Sequence, residues 1–184
     1  MVGVTMLLPL LALAQSAALE LTLRATREGE FVNVVASVDL PVDRNLVWGV
    51  LTDYAQYPRF VTSLSESRVS ERLPEGVMVE QKGEFSFLFF TRTFALRMLV
   101  IEFPQQSVIA RSTGGDFREF SSRYELLALG EKGVRLVYSA RFIPDFMMPP
   151  LIGMAAIEHA MRGDFSQLAA EILRRGTRSD QARE

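Results

Sequence analysis

The segment Pro149 to Arg175 constrains this chain most. It is one long amphipathic stretch that follows about a hundred residues of alternating, strand-like pattern. Met154, Ile157, Met161, Phe165, Leu168 and Ile172 recur in it at helical spacing, which makes a single apolar stripe. About 25 residues at ~1.5 Å each give a rod of ~37 Å. Pro149 and Pro150 suit its first turn, where the missing N–H is not needed. Arg174, Arg175 and Gly176 suit its end, with cations over the last carbonyls and then a glycine cap. Residues 176–184 are polar and read as a disordered tail. A rod with one apolar face has to bury it, and the surface available upstream is a sheet.

That sheet is legible in the alternation. From Phe31 to Pro41, Val32, Val34, Ala36, Val38 and Leu40 fall on one face and Asn33, Ser37 and Asp39 on the other. Leu19 to Thr26 is a candidate partner through Arg27 to Glu30, so 19–30 reads as an extra N-terminal strand. Asp43 caps a short helix over Arg44 to Thr52, and a second helical turn over Tyr54 to Tyr57 is expected to stop at Pro58. Further strands are expected over Ser65–Leu73, Val77–Phe87, Arg92–Phe103, Ser107–Thr113, Asp116–Leu129 and Val134–Ile143. The turns between them are short, so neighbours pair antiparallel.

With 184 residues, 48% of them hydrophobic, the chain reads as one folded domain. A net charge of -2 argues against nucleic acid as a partner. No cysteine is present and His159 is the single histidine, so thiolate chemistry is absent and neither a metal site nor a cofactor is expected. His159 also projects away from the helix stripe.

Residues 1–18 read as a cleaved export signal, with a short N-terminal anchor as the alternative. Met6 to Ala14 is apolar but shorter than the roughly 20 residues of a membrane span. Ala12-Leu13-Ala14 and Ser16-Ala17-Ala18 offer small-x-small cleavage sites, although no Lys or Arg precedes the run. The expected location is therefore the periplasm or outside the cell, or the membrane if the segment is kept.

The order strand, two short helices, six strands and long helix resembles the helix-grip fold of the START-like (SRPBCC) superfamily. Within it the chain most resembles the polyketide cyclase/dehydrase and coenzyme-Q-binding branch. Val47 to Phe60, with Asp53-Tyr54-Ala55-Gln56-Tyr57-Pro58-Arg59-Phe60, is similar to the family's D-Y-x-x-Y-P-x-F segment. Val79-Glu80-Gln81, Gly115-Asp116-Phe117-Arg118 with Tyr124, and Pro144-Asp145-Phe146 echo it in order. The resemblance covers about residues 31–175. It implies an α+β fold, a curved antiparallel sheet of about seven strands gripping the C-terminal helix, with a cavity between them. In relatives that cavity holds lipids, quinones, sterols or polyketides.

Candidate ligand-binding residues follow from the faces they share. Met154, Met161 and Phe165 point from the helix at the sheet, where flexible Met suits a variable guest. Gln81 falls in phase with Val77, Val79, Phe85 and Phe87, and a buried amide there needs protein partners or a ligand. Arg111 shares a face with Ile109 and Thr113 and suits a carboxylate or quinone oxygen, unless that face is the outer one. Tyr54, Tyr124 and Tyr138 are candidate inward hydroxyls, whereas Tyr57 reads as structural. Asp164 lies beside the stripe, read as a solvated helix edge rather than as a buried acid of raised pKa. Phe87-Leu88-Phe89-Phe90 reads as core, a cavity lip or an edge in transient contact with membrane.

Three functions fit. The first is non-catalytic binding or transport of a hydrophobic small molecule, such as a lipid, a quinone or a polyketide-like chain. The second is an aromatase or cyclase using Tyr124, Arg111 and Asp164. The third, from the ribosome-associated toxin branch of the resembling family, is a protein-interaction module. The residues carry no signal of oligomeric state.

Overall fold

The computed structural model describes residues 19–88, 90–131, 133–145 and 153–181. Eight strands form one sheet in the order β1-β2-β8-β7-β6-β5-β4-β3. They are β1 (Leu21–Glu28), β2 (Phe31–Leu40), β3 (Leu64–Leu73), β4 (Gly76–Phe87), β5 (Phe90–Phe103), β6 (Ser107–Gly115), β7 (Phe117–Leu129) and β8 (Gly133–Pro144). Every neighbouring pair is antiparallel. Helix α1 (Arg44–Leu51) and a 3-10 helix (Tyr54–Arg59) interrupt the sheet after β2, and α2 (Gly153–Gln181) closes it. The expected α+β helix-grip architecture is what the chain adopts, with the N-terminal strand present as β1.

Residues 1–18, Phe89, Lys132, 146–152 and 182–184 lie outside the described residues, and with them the expected export signal, part of the apolar run, Phe146 of the third echo and the prolines at the expected helix start. Among the described residues no helix is long and apolar enough to cross a membrane.

The local rules are visible in the elements. The Asp43 side chain accepts from Asn45 N at 2.8 Å and caps α1. Gly29, at φ 60, supplies the tight turn between β1 and β2. Register shifts in β3, between β5 and β6, and at Phe117/Glu119 are bulges that bend the sheet. The 3-10 helix runs one residue past Pro58. Phe60 N and Val61 N both bond to Tyr57 O, at 3.1 and 2.8 Å, so the turn survives the missing proline amide.

All five inward residues expected on β2 are buried, as are Ile157, Phe165, Leu168 and Ile172 of α2. Each such side chain contributes roughly 1.5–3 kcal/mol by leaving water. Gly176 does not cap α2, which continues to Gln181. A Cβ at Gly176 would stand 3.0 Å from Val42 Cγ1 and 3.2 Å from Leu46 Cδ2, so the glycine marks a close approach to α1. The expected disordered tail therefore begins, at its first six residues, as helix.

Polar bonds fix the helix at three heights. Arg162 donates to Leu23 O of β1 at 2.9 Å. Thr62 N donates to Gln167 Oε1 at 2.8 Å, and Gln167 Nε2 bonds to Thr62 Oγ1 at 2.9 Å. Glu171, buried, accepts from Arg174 and Arg175, and Arg175 reaches Asp53 at 2.9 Å. These guanidiniums hold the Glu171 carboxyl down to about 2, Arg174 contributing most.

Ile172→Ala is expected to lower unfolding free energy by about 3 kcal/mol in urea titration, the range for a fully enclosed aliphatic side chain. Glu171→Gln is expected to cost about 1 kcal/mol near neutral pH. Because the folded-state pKa is depressed, that difference is present above the unfolded value and disappears as pH falls from 4.5 towards about 2. Melting curves of both proteins across that window check the sign.

Candidate functional site

Between the concave face of the sheet and α2 lies a cavity of about 220 Å³. It exceeds the ~150 Å³ of an engineered apolar cavity that admits benzene. Ile157, Ala160, Met161, Asp164 and Leu168 line it from α2, one helical face at three- and four-residue steps.

Two rows on β7 and β8 shape the opposite wall. Phe120 pairs with Phe142, and Tyr124 pairs with Tyr138 four residues along, about 13 Å at strand rise. Phe117 packs edge-on against Phe142 with centroids 5.6 Å apart, and Phe94 and Phe85 extend this aromatic wall. Phe117 is aimed by the corner before it. Gly115 sits at φ 115, where any Cβ would meet Ala95 O at 2.2 Å. Asp116 then exchanges backbone and side-chain bonds with Ala95, at 2.9 and 2.8 Å. The Gly115-Asp116-Phe117 segment is thus a corner device that turns one phenylalanine inward.

The tyrosine row differs in what its hydroxyls do. Tyr54 lines the cavity with its ring, but its hydroxyl donates to Glu102 Oε1 at 2.8 Å. Tyr57 also lines it and donates to Leu51 O at 3.0 Å, so it is both structural and part of the wall. The Tyr124 and Tyr138 rings pack at a 40° tilt with centroids 4.6 Å apart, and the Tyr124 hydroxyl has no hydrogen bond to any described residue. Ser122 lies beside Tyr138 and partly offsets its shift. Burial, first among the causes, pushes all four phenols above their ordinary range, so they stay protonated.

Asp164 is the one carboxyl in the lining. It is not a solvated edge: it faces the cavity, and burial pushes its pKa up to about 6. Among the described residues it forms no ion pair that would offset that burial. Ser63 stands near enough to pull the value partly back. Its hydroxyl is nevertheless buried without a hydrogen bond of ordinary geometry.

The remaining expected residues divide. Gln81, Phe85 and Met161 line the cavity, and Gln81 Nε2 already donates to Ser67 Oγ at 3.3 Å. Phe165 is buried behind the wall against the Tyr138 ring at 6.3 Å, and Met154 packs at the core margin outside the lining. Arg111 is exposed, so its guanidinium does not reach the cavity. On β6 the inward positions are Val108 and Ala110, which puts Arg111 with Ile109 and Thr113 on the outer face. Phe87 ends β4, and its side chain lies outside the described residues. Leu88 follows at φ 54 and is 74% exposed at the tip between β4 and β5. Sequence reasoning missed Ser63, Ser122, Phe94, Phe117 and Phe120. Only the run from Gly115 to Phe117 carried a signal, through the glycine-acid corner. Among the described residues no cluster of His, Asp and Glu could hold a metal ion.

A helix gripped by a curved sheet around an apolar cavity defines a ligand-enclosing domain. The chain belongs to the polyketide cyclase/dehydrase and lipid transport family, which matches residues 40–163, about two thirds of its length. Among solved structures it is similar to the Zhui aromatase/cyclase of a Streptomyces species, at 17% identity over 79% of this chain and 95% of that one, with a TM-score of 0.64. It is also similar to the STAR-related lipid transfer protein of Xanthomonas axonopodis, at 12% identity over 83% and 93%, TM-score 0.65. A START superfamily protein of Mycobacterium smegmatis matches at 13% identity over 77% and 97%, TM-score 0.65. No curated protein sequence matches.

Asp164→Asn is expected to stabilise the fold by about 1–2 kcal/mol at neutral pH, after discounting for solvent in the cavity. The carboxyl's folded pKa is raised, so the folded form binds the proton more tightly and wild-type stability falls as pH rises from 3.8 to about 6. The gain should therefore be small near pH 4 and full above pH 6, as read by thermal melts at several pH values.

Proposed function

We propose that this protein binds a hydrophobic small molecule in the cavity between sheet and α2, as a non-catalytic carrier or sensor. The observation that carries the reading is the cavity itself. Its lining is largely aliphatic and aromatic, with a few polar groups gathered near Tyr124, Tyr138 and Asp164, the usual make-up of a small-molecule site. A core of this size would ordinarily be packed solid, because an empty apolar void forfeits contact energy. The family's description, which includes lipid transport, is consistent with this reading. A lipid, quinone or polyketide-like guest fits the apolar wall. The apolar run Met6–Ala14 supports export to a periplasm, where such a carrier would work.

One observation favours a second reading, a cyclase. Asp164, with a pKa near 6 beside two protonated phenols, has the character of a general acid or base. The relation to an aromatase/cyclase fold agrees with it. The outward position of Arg111 removes one of the groups such chemistry would have used.

The test uses the neutral fluorescent probe phenylnaphthylamine. Wild-type protein is expected to take it up saturably, one per chain. Ala160→Phe, which fills the cavity from α2, should abolish uptake while melting within about 3 °C of wild type, a shift of about 1 kcal/mol. Absence of saturable uptake by the wild type would overturn the carrier reading. Conversion of a polyketide-like chain by wild type but not by Asp164→Asn would move the assignment to the cyclase.

A further inference from the structure

The polar groups of the cavity are specific about charge. Among the described residues that line it there is no Lys, Arg or His, and the one ionisable acid is Asp164. An anionic headgroup placed there would lose its hydration and find no cation to replace it. It would also meet the Asp164 carboxylate.

The hydrogen-bonding capacity left over is equally specific. Tyr54, Tyr57 and Gln81 are committed to Glu102, Leu51 and Ser67. The Ser63 hydroxyl has no surface open to the cavity, and the group it serves is the Asp164 carboxyl beside it. The Ser63 backbone is held on two sides. Thr62, the residue before it, is clamped to Gln167 of α2 by two bonds. The Ser63 carbonyl accepts from Glu84 N at 2.8 Å, in a place that only a glycine at position 83 leaves open, since a Cβ there would stand 2.2 Å from that oxygen. A hydroxyl fixed in this way stands ready to steady the Asp164 carboxylate. What the wall leaves open is the Tyr124 hydroxyl and the Asp164 carboxylate, and a buried carboxylate matches one group well: an O–H that donates to it.

We propose that the cavity selects its guest by headgroup, holding a neutral apolar molecule by a donor hydroxyl that bonds to Asp164, and rejecting anionic amphiphiles such as fatty acids. This rests on the cavity being a ligand site. The groups that face Asp164 are Tyr124 from β7 and Tyr138 from β8, with Tyr57 of the 3-10 helix behind them and Ser63 from the turn just before β3. The three phenols stay neutral, so Asp164 alone changes charge in the mildly acid range.

The test compares three probes on one ring: naphthol, methoxynaphthalene and naphthoate, which are a donor, an acceptor and an anion of similar shape. Their binding is measured by calorimetry to wild type, Asp164→Asn and Ser63→Ala. At about pH 7.5 naphthol is expected to bind wild type about tenfold more tightly than methoxynaphthalene, as one hydrogen bond to a charged acceptor gives, and naphthoate most weakly. Ser63→Ala should move the pH at which naphthoate binding strengthens upward, because the hydroxyl beside the Asp164 carboxyl holds its proton affinity down. Asp164→Asn should narrow the naphthol preference below about threefold and strengthen naphthoate. Lowering the pH of wild type to about 5 should also strengthen naphthoate, because Asp164 then carries a proton. Equal binding of naphthol and methoxynaphthalene to wild type would overturn the headgroup assignment while leaving the cavity reading intact. Failure of all three probes together with phenylnaphthylamine would overturn both.

Discussion

A strongly curved antiparallel sheet leaves a concave apolar surface, and this molecule depends on covering it with a single helix. Eight strands bent by bulges cannot close on themselves here, because β1 and β3 remain edges. The apolar face of α2 supplies the missing wall. Burial does the general work, while Arg162, Gln167 and the Glu171–Arg175–Asp53 network set the height and seat of the rod. Near Gly176 the helix packs closely on Val42 and Leu46, while its N-terminal half spans a gap. That gap is the cavity, and the wall residues of α2 between Ile157 and Leu168 are the ones over it.

The fold was legible because its signals were periodic. β2 alternates without a fault, and α2 repeats over many turns, so each states its own inner face. Positions failed where two physical readings share one pattern. In β6 both faces are mixed, with Val108 and Ala110 on one and Ile109 on the other. Pairing with β5 and β7, which one sequence does not state, turned Arg111 outward. On α2, neighbouring positions 164 and 165 are about 100° apart and both reach the inner half. The apolar one was taken as wall, yet Phe165 packs behind Tyr138 and Asp164 faces the hollow. Ser63 and Ser122 belong to no period at all, and bulges at Phe117/Glu119 and Arg97/Met98 scramble the phase that would have announced Phe94, Phe117 and Phe120.

The site shows the same division of labour as the fold. Its aromatic wall is generic, since five phenylalanines in edge and tilted contact would suit many apolar shapes. Chemistry enters through the Asp164 carboxylate and the Tyr124 hydroxyl, with Ser63 held beside the carboxyl by backbone geometry at Gly83 and by the Thr62–Gln167 clamp. Neutral phenols around a single carboxyl give an electrostatic field of one sign, which is a narrower property than apolarity.

Gly176 carries a consequence beyond its own turn. It works as a notch: Val42 and Leu46 fit where a side chain would otherwise stand. A rigid helix seated in a notch cannot spin about its axis, and its azimuth at one residue sets the azimuth at every other. Asp164 lies twelve positions upstream on the same rod, so the bearing of its carboxyl is indexed by a glycine far from it. A side chain at the notch would press on Val42 and Leu46 without touching any residue of the wall.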